Sequence, residues 1–464
     1  MASTPRDTTT FTDALNAQKM KPVQWAIAAT CMLVLVCDGI DLQLLGTVAP
    51  AVMESFAVSR TVFGIAMMAA LIGFGLGGWG GGWLGDKLGR RWTLALSAVV
   101  FSLATVGAST SHGTEILSLG PLSAPLAVWE MAGWRLLGGL GFGAAYANAL
   151  SMAGEWLPDR WRPIVVSTLA VGTPIGGTIV GWIGPDLVES RGWDGTFVVF
   201  GIATLIVLIP ILLVLRDSPS FLLVRGKTEA AQQNARMVLD EDVTLLPDTH
   251  HTDTAEGPQI GVLHRSNLRL NVGIGIAFAA ATLVAYGILS WGTTFLTAQD
   301  FTLDQAGNAV ALAGISSMVG SVMVGEVMRR LGSKLVMAML SAILVVWMLA
   351  IGYVMEGLPD VLDDGTRTMV TWLVGLSGFA FSASIAGFYV MMTAGYPSSC
   401  RSAGIGFGIF MSRIGAVSAT GFGGWLLDLG AGSTWPFFGA LAAASVLVAA
   451  AAFVVDRHVP PLKR

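Results

Sequence analysis

The stretch "GWLGDKLGRR", Gly82 to Arg91, decides how this chain is read: four charged side chains in six positions, Asp86 to Arg91, stand between two long apolar runs. A related frame, "GEVMRRLGSK", returns at Gly325 to Lys334. Gly82 aligns with Gly325, Gly89 with Gly332 and Arg91 with Lys334, while Asp86 meets Arg329. The same turn written twice, each time after an apolar segment, predicts two related halves.

Composition sets the surroundings of both turns. Residues of the AVILMFWYC class make up 54% of the 464 and charged residues 12%, about half the share in an ordinary soluble domain, so most of the surface must face lipid. Apolar runs of about 20 residues, long enough to cross a bilayer as helices, recur along the chain. They fall near 24–50, 62–83, 92–110, 127–155, 163–188, 194–215, 270–297, 305–327, 334–355, 369–396, 402–426 and 433–455, predicting twelve spans. The expected fold class is an all-α membrane protein of twelve transmembrane helices in two six-helix halves. The halves cover 24–215 and 270–455, flanked by tails 1–23 and 456–464 and separated by a polar linker, 216–269. The linker segment "RDSPSFLLVRGKTEAAQQNARMVL" predicts one or two amphipathic helices, and "PDTHHTDTAEGPQ" is turn-rich. The first 20 residues are polar and lack the pattern of a cleavable signal, so span 1 is expected to direct insertion.

Lys and Arg are unevenly placed. With the N-terminus inside, the tails and even-numbered connections hold 21 of them and the odd-numbered connections 3, which predicts two cytoplasmic termini in an inner membrane. The remaining two, Arg135 and Arg413, lie within spans. Cys31, Cys37 and Cys400 have no paired or CxxC spacing and read as packing residues. A net charge of −4, thinly spread, carries no nucleic-acid signature, and no metal or cofactor motif is read.

The long motif at Gly82 to Arg91 resembles the signature loop of the major facilitator superfamily, and "RLLGGLGFG" (Arg135 to Gly143) and "EWLPDRWR" resemble its span 4 and following loop. Within that superfamily "DGID", Asp38 to Asp41, resembles the DGxD signature of the aromatic acid:proton symporters; "YPSSCRSAG" and "SRIG" are similar to further patterns of that family. The resemblance covers nearly the whole chain. It implies the major facilitator fold, alternating access between two halves, and a cavity lined by spans 1, 4, 7 and 10. It also implies a small aromatic acid and protons as partners. A monomer in the bilayer is expected. "RDSPSFLLVRG" also resembles the sugar and organic-ion porters, and "GTPIGG" partly matches a motif of exporters, so another solute or direction on the same fold is the alternative.

The acids carry their own argument. Asp38 and Asp41, three apart on a helix, share one face. Each ionised Asp costs about 3 kcal/mol near the bilayer centre, whereas the nine strong aliphatics between Ile27 and Leu45 return about 0.5 each, so the pair nearly cancels the insertion signal of span 1. They must be paired or functional. Arg135 lies about eight residues, roughly 12 Å, below the outer end of span 4. Asp41 lies about nine residues below the outer end of span 1, so their depths match. The histidines, His112, His250, His251, His264 and His458, all fall outside the spans. Proton coupling is therefore assigned to Asp41 as carrier, Asp38 as modulator and Arg135 as partner. A plain ion pair holding two helices together is the alternative.

Arg135 and Arg413 are the candidate grips for a substrate carboxylate, since a guanidinium matches it with two parallel donors. Arg413 snorkelling toward the cytoplasm is the competing reading. Tyr146, Tyr286, Trp291, Phe388 and Tyr389 are candidates to stack on a ring, each against the ordinary alternative of helix packing. Glu130, near the outer mouth, reads as a vestibule residue. For gating, Asp86, Arg90 and Arg91 are expected to bridge neighbouring helix ends, with Glu155, Arg160 and Arg162 as partners.

Overall fold

A computed structural model describes residues 8–119, 122–161, 165, 168–169, 171–239, 244–246, 262–359, 361–396 and 401–460. The first half runs through β1 (Thr8–Thr10), α1 (Phe11–Asn16), α2 (Pro22–Phe56), α3 (Arg60–Leu88), α4 (Arg90–Ala108), β2 (Ile116–Leu119) and β3 (Leu122–Pro125). It continues with α5 (Leu126–Trp156), α6 (Gly172–Leu205) and α7 (Leu208–Val214). The polar linker forms α8 (Pro219–Val224), α9 (Thr228–Ala235) and β4 (Thr244–Leu246). The second half comprises α10 (Leu268–Thr297), α11 (Leu303–Leu331), α12 (Ser333–Glu356), α13 (Asp364–Gly395), α14 (Arg401–Leu429) and α15 (Trp435–Val454). Cys400, Arg162, His250, His251 and the "PDTHHTDTAEGPQ" segment lie outside the described residues.

Eleven helical stretches among the described residues are long and apolar enough to cross a membrane. One of them, Gly172–Val214, has 43 residues, about 65 Å at 1.5 Å each, twice what one crossing needs. Gly192, at φ 74° and ψ 172°, breaks it, so spans 5 and 6 share this stretch and the crossings number twelve. α2, α5, α10 and α13 are spans 1, 4, 7 and 10; α3 and α14 are spans 2 and 11.

The two halves repeat one packing scheme. α3 lies on α5 and α2 on α6, as α11 lies on α13 and α10 on α14. Between α3 and α5 the backbones touch: Gly73 and Gly77 face the carbonyls of Leu136 and Leu140, and Gly139 and Gly143 face those of Ala70 and Phe74. No Cβ fits there, and missing side chains are how membrane helices come this close.

The internal repeat is visible in the backbone. Gly89 (φ 97°, ψ 151°) ends α3 and starts α4, and Gly332 (φ 83°, ψ 148°) does the same between α11 and α12. That region is open almost only to glycine. A Cβ on Gly89 would also press on the Asp217 carboxylate, whereas one on Gly82 meets nothing within 4 Å. Gly89→Ala is therefore expected to cost about 1–3 kcal/mol and lower the melting temperature in detergent, with Gly82→Ala as the neutral control.

Beside the helices, the described residues hold four short strands of three or four residues each. β2 and β3 form an antiparallel hairpin, and β1 pairs in parallel with β4, Thr8 opposite Thr244. The second pairing ties the N-terminal tail to the linker. Phe11, fully buried, meets Trp156 edge-on at 5.8 Å between centroids. Both tails act as straps, because Arg457 donates to the Gly395 carbonyl and to Asn267 Oδ1, each at 2.9 Å. Nearby, burial holds the His458 imidazole below its usual pKa.

α14 meets α3, α11 meets α6 and α10 meets α2 across the halves. Among the described residues, the hydrogen bonds between halves lie toward the face away from Gly89 and Gly332. Gln43 donates to the Leu289 carbonyl (2.8 Å), Thr178 to the Ala311 carbonyl (3.4 Å) and Thr293 to the Gly46 carbonyl. At the rim, Asp428 accepts from the Thr61 backbone N–H (2.8 Å) and hydroxyl (2.6 Å). The halves are closed on that face.

Candidate functional site

The depth match between spans 1 and 4 is met by contact. Asp41 Oδ1 takes an ion-paired hydrogen bond from Arg135 Nη1, while Arg135 Nη2 donates to the Asp41 carbonyl at 2.9 Å and Thr105 of α4 donates to the same carboxylate at 3.2 Å. Asp41 and Arg135 are 3% and 2% exposed. A lone charge at that depth costs far more than a paired one, which explains why the two are held against each other. One donor is left over: Arg135 Nε is buried without a partner.

Asp38 is a turn closer to the start of α2 and is held differently. Thr173 of α6 donates to its Oδ2 at 3.2 Å, and its Oδ1 is buried and unpartnered. It lies within electrostatic reach of Arg413, as do Tyr146, Tyr286 and Tyr389. The two acids thus face different cations, Asp41 the one in its own half and Asp38 the one across the gap.

Arg413 does not snorkel. Its guanidinium lies over the Phe74 ring of α3, 4.0 Å from the centroid, and Nη1 donates to the Tyr286 hydroxyl at 3.4 Å. Cation and ring come from opposite halves, and stacking of this kind stabilises by about 0.5–2 kcal/mol. Tyr146 meets Phe74 edge-on at 5.6 Å, and Tyr389 meets Phe278 at 5.1 Å. Arg413, Tyr146 and Tyr286 are half-buried and Tyr389 is 38% exposed, so this group borders accessible space. Arg413 keeps its Nε and Nη2 donors free of protein partners.

Two aromatic candidates lie elsewhere. Trp291 is fully buried, donates to the Ala419 carbonyl at 3.2 Å and packs over Gly423 and Gly424 of α14. Phe388 is also fully buried, 5.8 Å from Phe278. Both are withdrawn into helix packing. Glu130, read as a vestibule residue, accepts from the backbone N–H groups of His112 (3.1 Å) and Gly113 (3.3 Å) and pins the loop that joins spans 3 and 4.

At the basic face, Arg90 pairs with Asp86 at 2.6 Å and with Glu155 at 3.1 Å, joining the α3–α4 turn to the end of α5. Arg91 donates to the Leu212 carbonyl at 2.7 Å. Arg160 is not part of this cluster: it reaches the Gln18 carbonyl, 2.6 Å away, in the N-terminal tail. Asp217, which sequence reasoning passed over, accepts from the Arg91 backbone N–H at 3.2 Å, and Arg225 donates to the Asp86 carbonyl at 2.7 Å. The stretch "RDSPSFLLVRG" holds both residues, so the signal was present but not connected to the turn.

Two six-helix halves closed on one face, with paired and unpaired charges buried between them, define a membrane transporter. The chain belongs to the Major Facilitator Superfamily, whose model matches residues 31–362. It is similar to a 4-hydroxybenzoate transporter, PcaK, of Pseudomonas aeruginosa, 26% identical over 421 residues covering 90% of this chain and 89% of that one. It is also similar to a gallate transporter of Pseudomonas putida, 25% identical over 458 residues, covering 96% and 94%. Among solved structures, the partially occluded inward open conformation of the xylose transporter XylE from E. coli superposes with a TM-score of 0.69 at 18% identity, over 94% of this chain and 99% of that one.

Proposed function

We propose that this protein carries an aromatic carboxylate inward across the cytoplasmic membrane together with protons, with both termini and the Asp86 turn on the cytoplasmic side. One observation carries the reading: Arg413 sits between the halves with two free donors, bordered by Phe74, Tyr146, Tyr286 and Tyr389. Free guanidinium donors fit a carboxylate, and the rings around them fit an aromatic body. The names of the relatives, 4-hydroxybenzoate and gallate transporters, support the same class.

The Asp41–Arg135 pair supplies the coupling. A buried carboxyl is pulled toward its neutral form by desolvation and toward its charged form by a neighbouring arginine, so what Arg135 does decides whether a proton stays. A proton on Asp41 weakens its hold on Arg135 and frees guanidinium N–H groups for oxygens of the substrate. Proton and anion then load together, and the loaded site carries less charge than its parts. The 21-to-3 distribution of Lys and Arg supports the orientation. Asp86, Arg90, Arg91 and Glu155, with Asp217, act as the cytoplasmic gate, made when the halves rock to one arrangement and broken in the other.

Cells expressing the chain are expected to take up radiolabelled benzoates or phenylpropanoids, and a protonophore to collapse that uptake. Uptake of a sugar or an organic cation in place of every aromatic acid in the panel would refute the substrate class.

A further inference from the structure

A small cavity lies between the halves on the closed side of the site, with about 20 Å³ of room. It is lined by Leu42, Leu45, Met67, Ala70 and Leu71 on the first half, and by Tyr286, Ser290 and Thr420 on the second, with Arg135 at its edge. That space holds one water-sized group and no ring. Its polar atoms are uncommitted in a particular way. Arg135 Nε is buried and donates to nothing. Ser290, 8% exposed, makes no hydrogen bond through its hydroxyl. The Tyr286 oxygen accepts from Arg413, which leaves its proton to give, and Thr420 spends its proton on the carbonyls of Ala416 and Val417, both at 3.1 Å, which leaves its oxygen to accept. Donors and acceptors around an oxygen-sized space, with aliphatic walls otherwise, fit a hydroxyl group.

Tyr286 belongs to both places, since its ring lines the cavity and its hydroxyl touches Arg413. Thr420 lies seven residues beyond Arg413 on α14, about 10 Å further toward the closed face. A planar acid held by its carboxylate on Arg413 and directed along α14 points its far edge at the cavity.

We infer that this cavity is the reader of a ring hydroxyl, with Ser290 as the specificity-determining residue and Arg135 Nε–H as its partner; the inference rests on the aromatic-carboxylate reading of the Arg413 site. In the empty transporter the place is large enough for one water. A substrate with a hydroxyl opposite its carboxylate takes that place and its hydrogen bonds, while one without it leaves Arg135 Nε and Ser290 to a water or to nothing. One well-made hydrogen bond of this kind is worth about 1–1.5 kcal/mol, roughly a tenfold preference.

The test is equilibrium binding of benzoate and 4-hydroxybenzoate to purified protein in detergent, read as the ratio of the two affinities. Wild type is expected to favour the hydroxylated acid about tenfold, Ser290→Ala to bring the ratio close to one, and Ser290→Val, which fills the cavity, to bring it below one. A ratio that stays at the wild-type value in both variants overturns the proposal and leaves the cavity as a water site, as does a wild type with no preference. If wild type binds neither acid, the aromatic-carboxylate reading itself has failed and this inference falls with it.

Discussion

Asp41→Asn is expected to abolish proton-driven accumulation while leaving substrate exchange within about tenfold of wild type. The asparagine keeps the size of the side chain and an oxygen that Arg135 can donate to, so the α2–α5 contact survives. What it lacks is a group that gains and loses a proton. A transporter fixed in the neutral form still binds and releases its substrate but has lost the link to the proton gradient. Removing the other partner acts differently. Arg135→Ala leaves a carboxylate 3% exposed with only Thr105 to donate to it, and breaking a buried pair in this way costs about 3–5 kcal/mol. That variant is expected to lose folded protein as well as transport, which makes Asp41→Asn the cleaner probe of coupling. Counterflow in proteoliposomes with equal pH on both sides checks the retained exchange.

Arg413→Ala is expected to raise KM for the acid about 100-fold, and Arg413→Lys about tenfold. Two charge-assisted hydrogen bonds to a carboxylate stabilise by about 3 kcal/mol together, and lysine keeps the charge but not the two parallel donors or the flat face that lies on Phe74. Kinetic separation is informative here. A role confined to packing α3 against α14 would lower kcat or expression and leave KM alone. An Arg413→Ala protein with wild-type KM would return this side chain to structure.

The crossings and the Asp41–Arg135 pair were legible in the sequence for the same reason. A bilayer forces apolar runs of fixed length, so positions along the chain convert to depth; depth matched the acid to the arginine, and the family resemblance, which implies a cavity lined by spans 1, 4, 7 and 10, supplied the facing helices. Rotation around each helix was not legible. Tyr286 and Trp291 are five residues apart, about 140° around a helix, so they cannot share a face, and Phe388 and Tyr389 are about 100° apart. One member of each pair borders the site and the other packs. Phe74 went unnoticed because it stands inside "GFGLGGWGGGW", where the glycines dominate the reading and suggest close packing. Ser290 and Thr420 carried no signal, since a hydroxyl on an apolar helix usually bonds a carbonyl of the preceding turn, as Thr420 does and Ser290 does not. Arg160 was assigned to the gate from its place in a basic loop. Its partner is the tail, held nearby by the buried Phe11 and by the β1–β4 pairing, and neither contact is local in sequence.

The most direct measurement is accumulation of a radiolabelled aromatic acid in proteoliposomes under an imposed pH gradient, acidic outside, for wild type and Asp41→Asn side by side. The account predicts that wild type concentrates the acid above its external level and loses this when a protonophore is added, while Asp41→Asn only equilibrates it. Accumulation by Asp41→Asn equal to wild type would contradict the assignment of the proton to the Asp41–Arg135 pair, and accumulation by wild type that ignores the pH gradient would contradict proton symport.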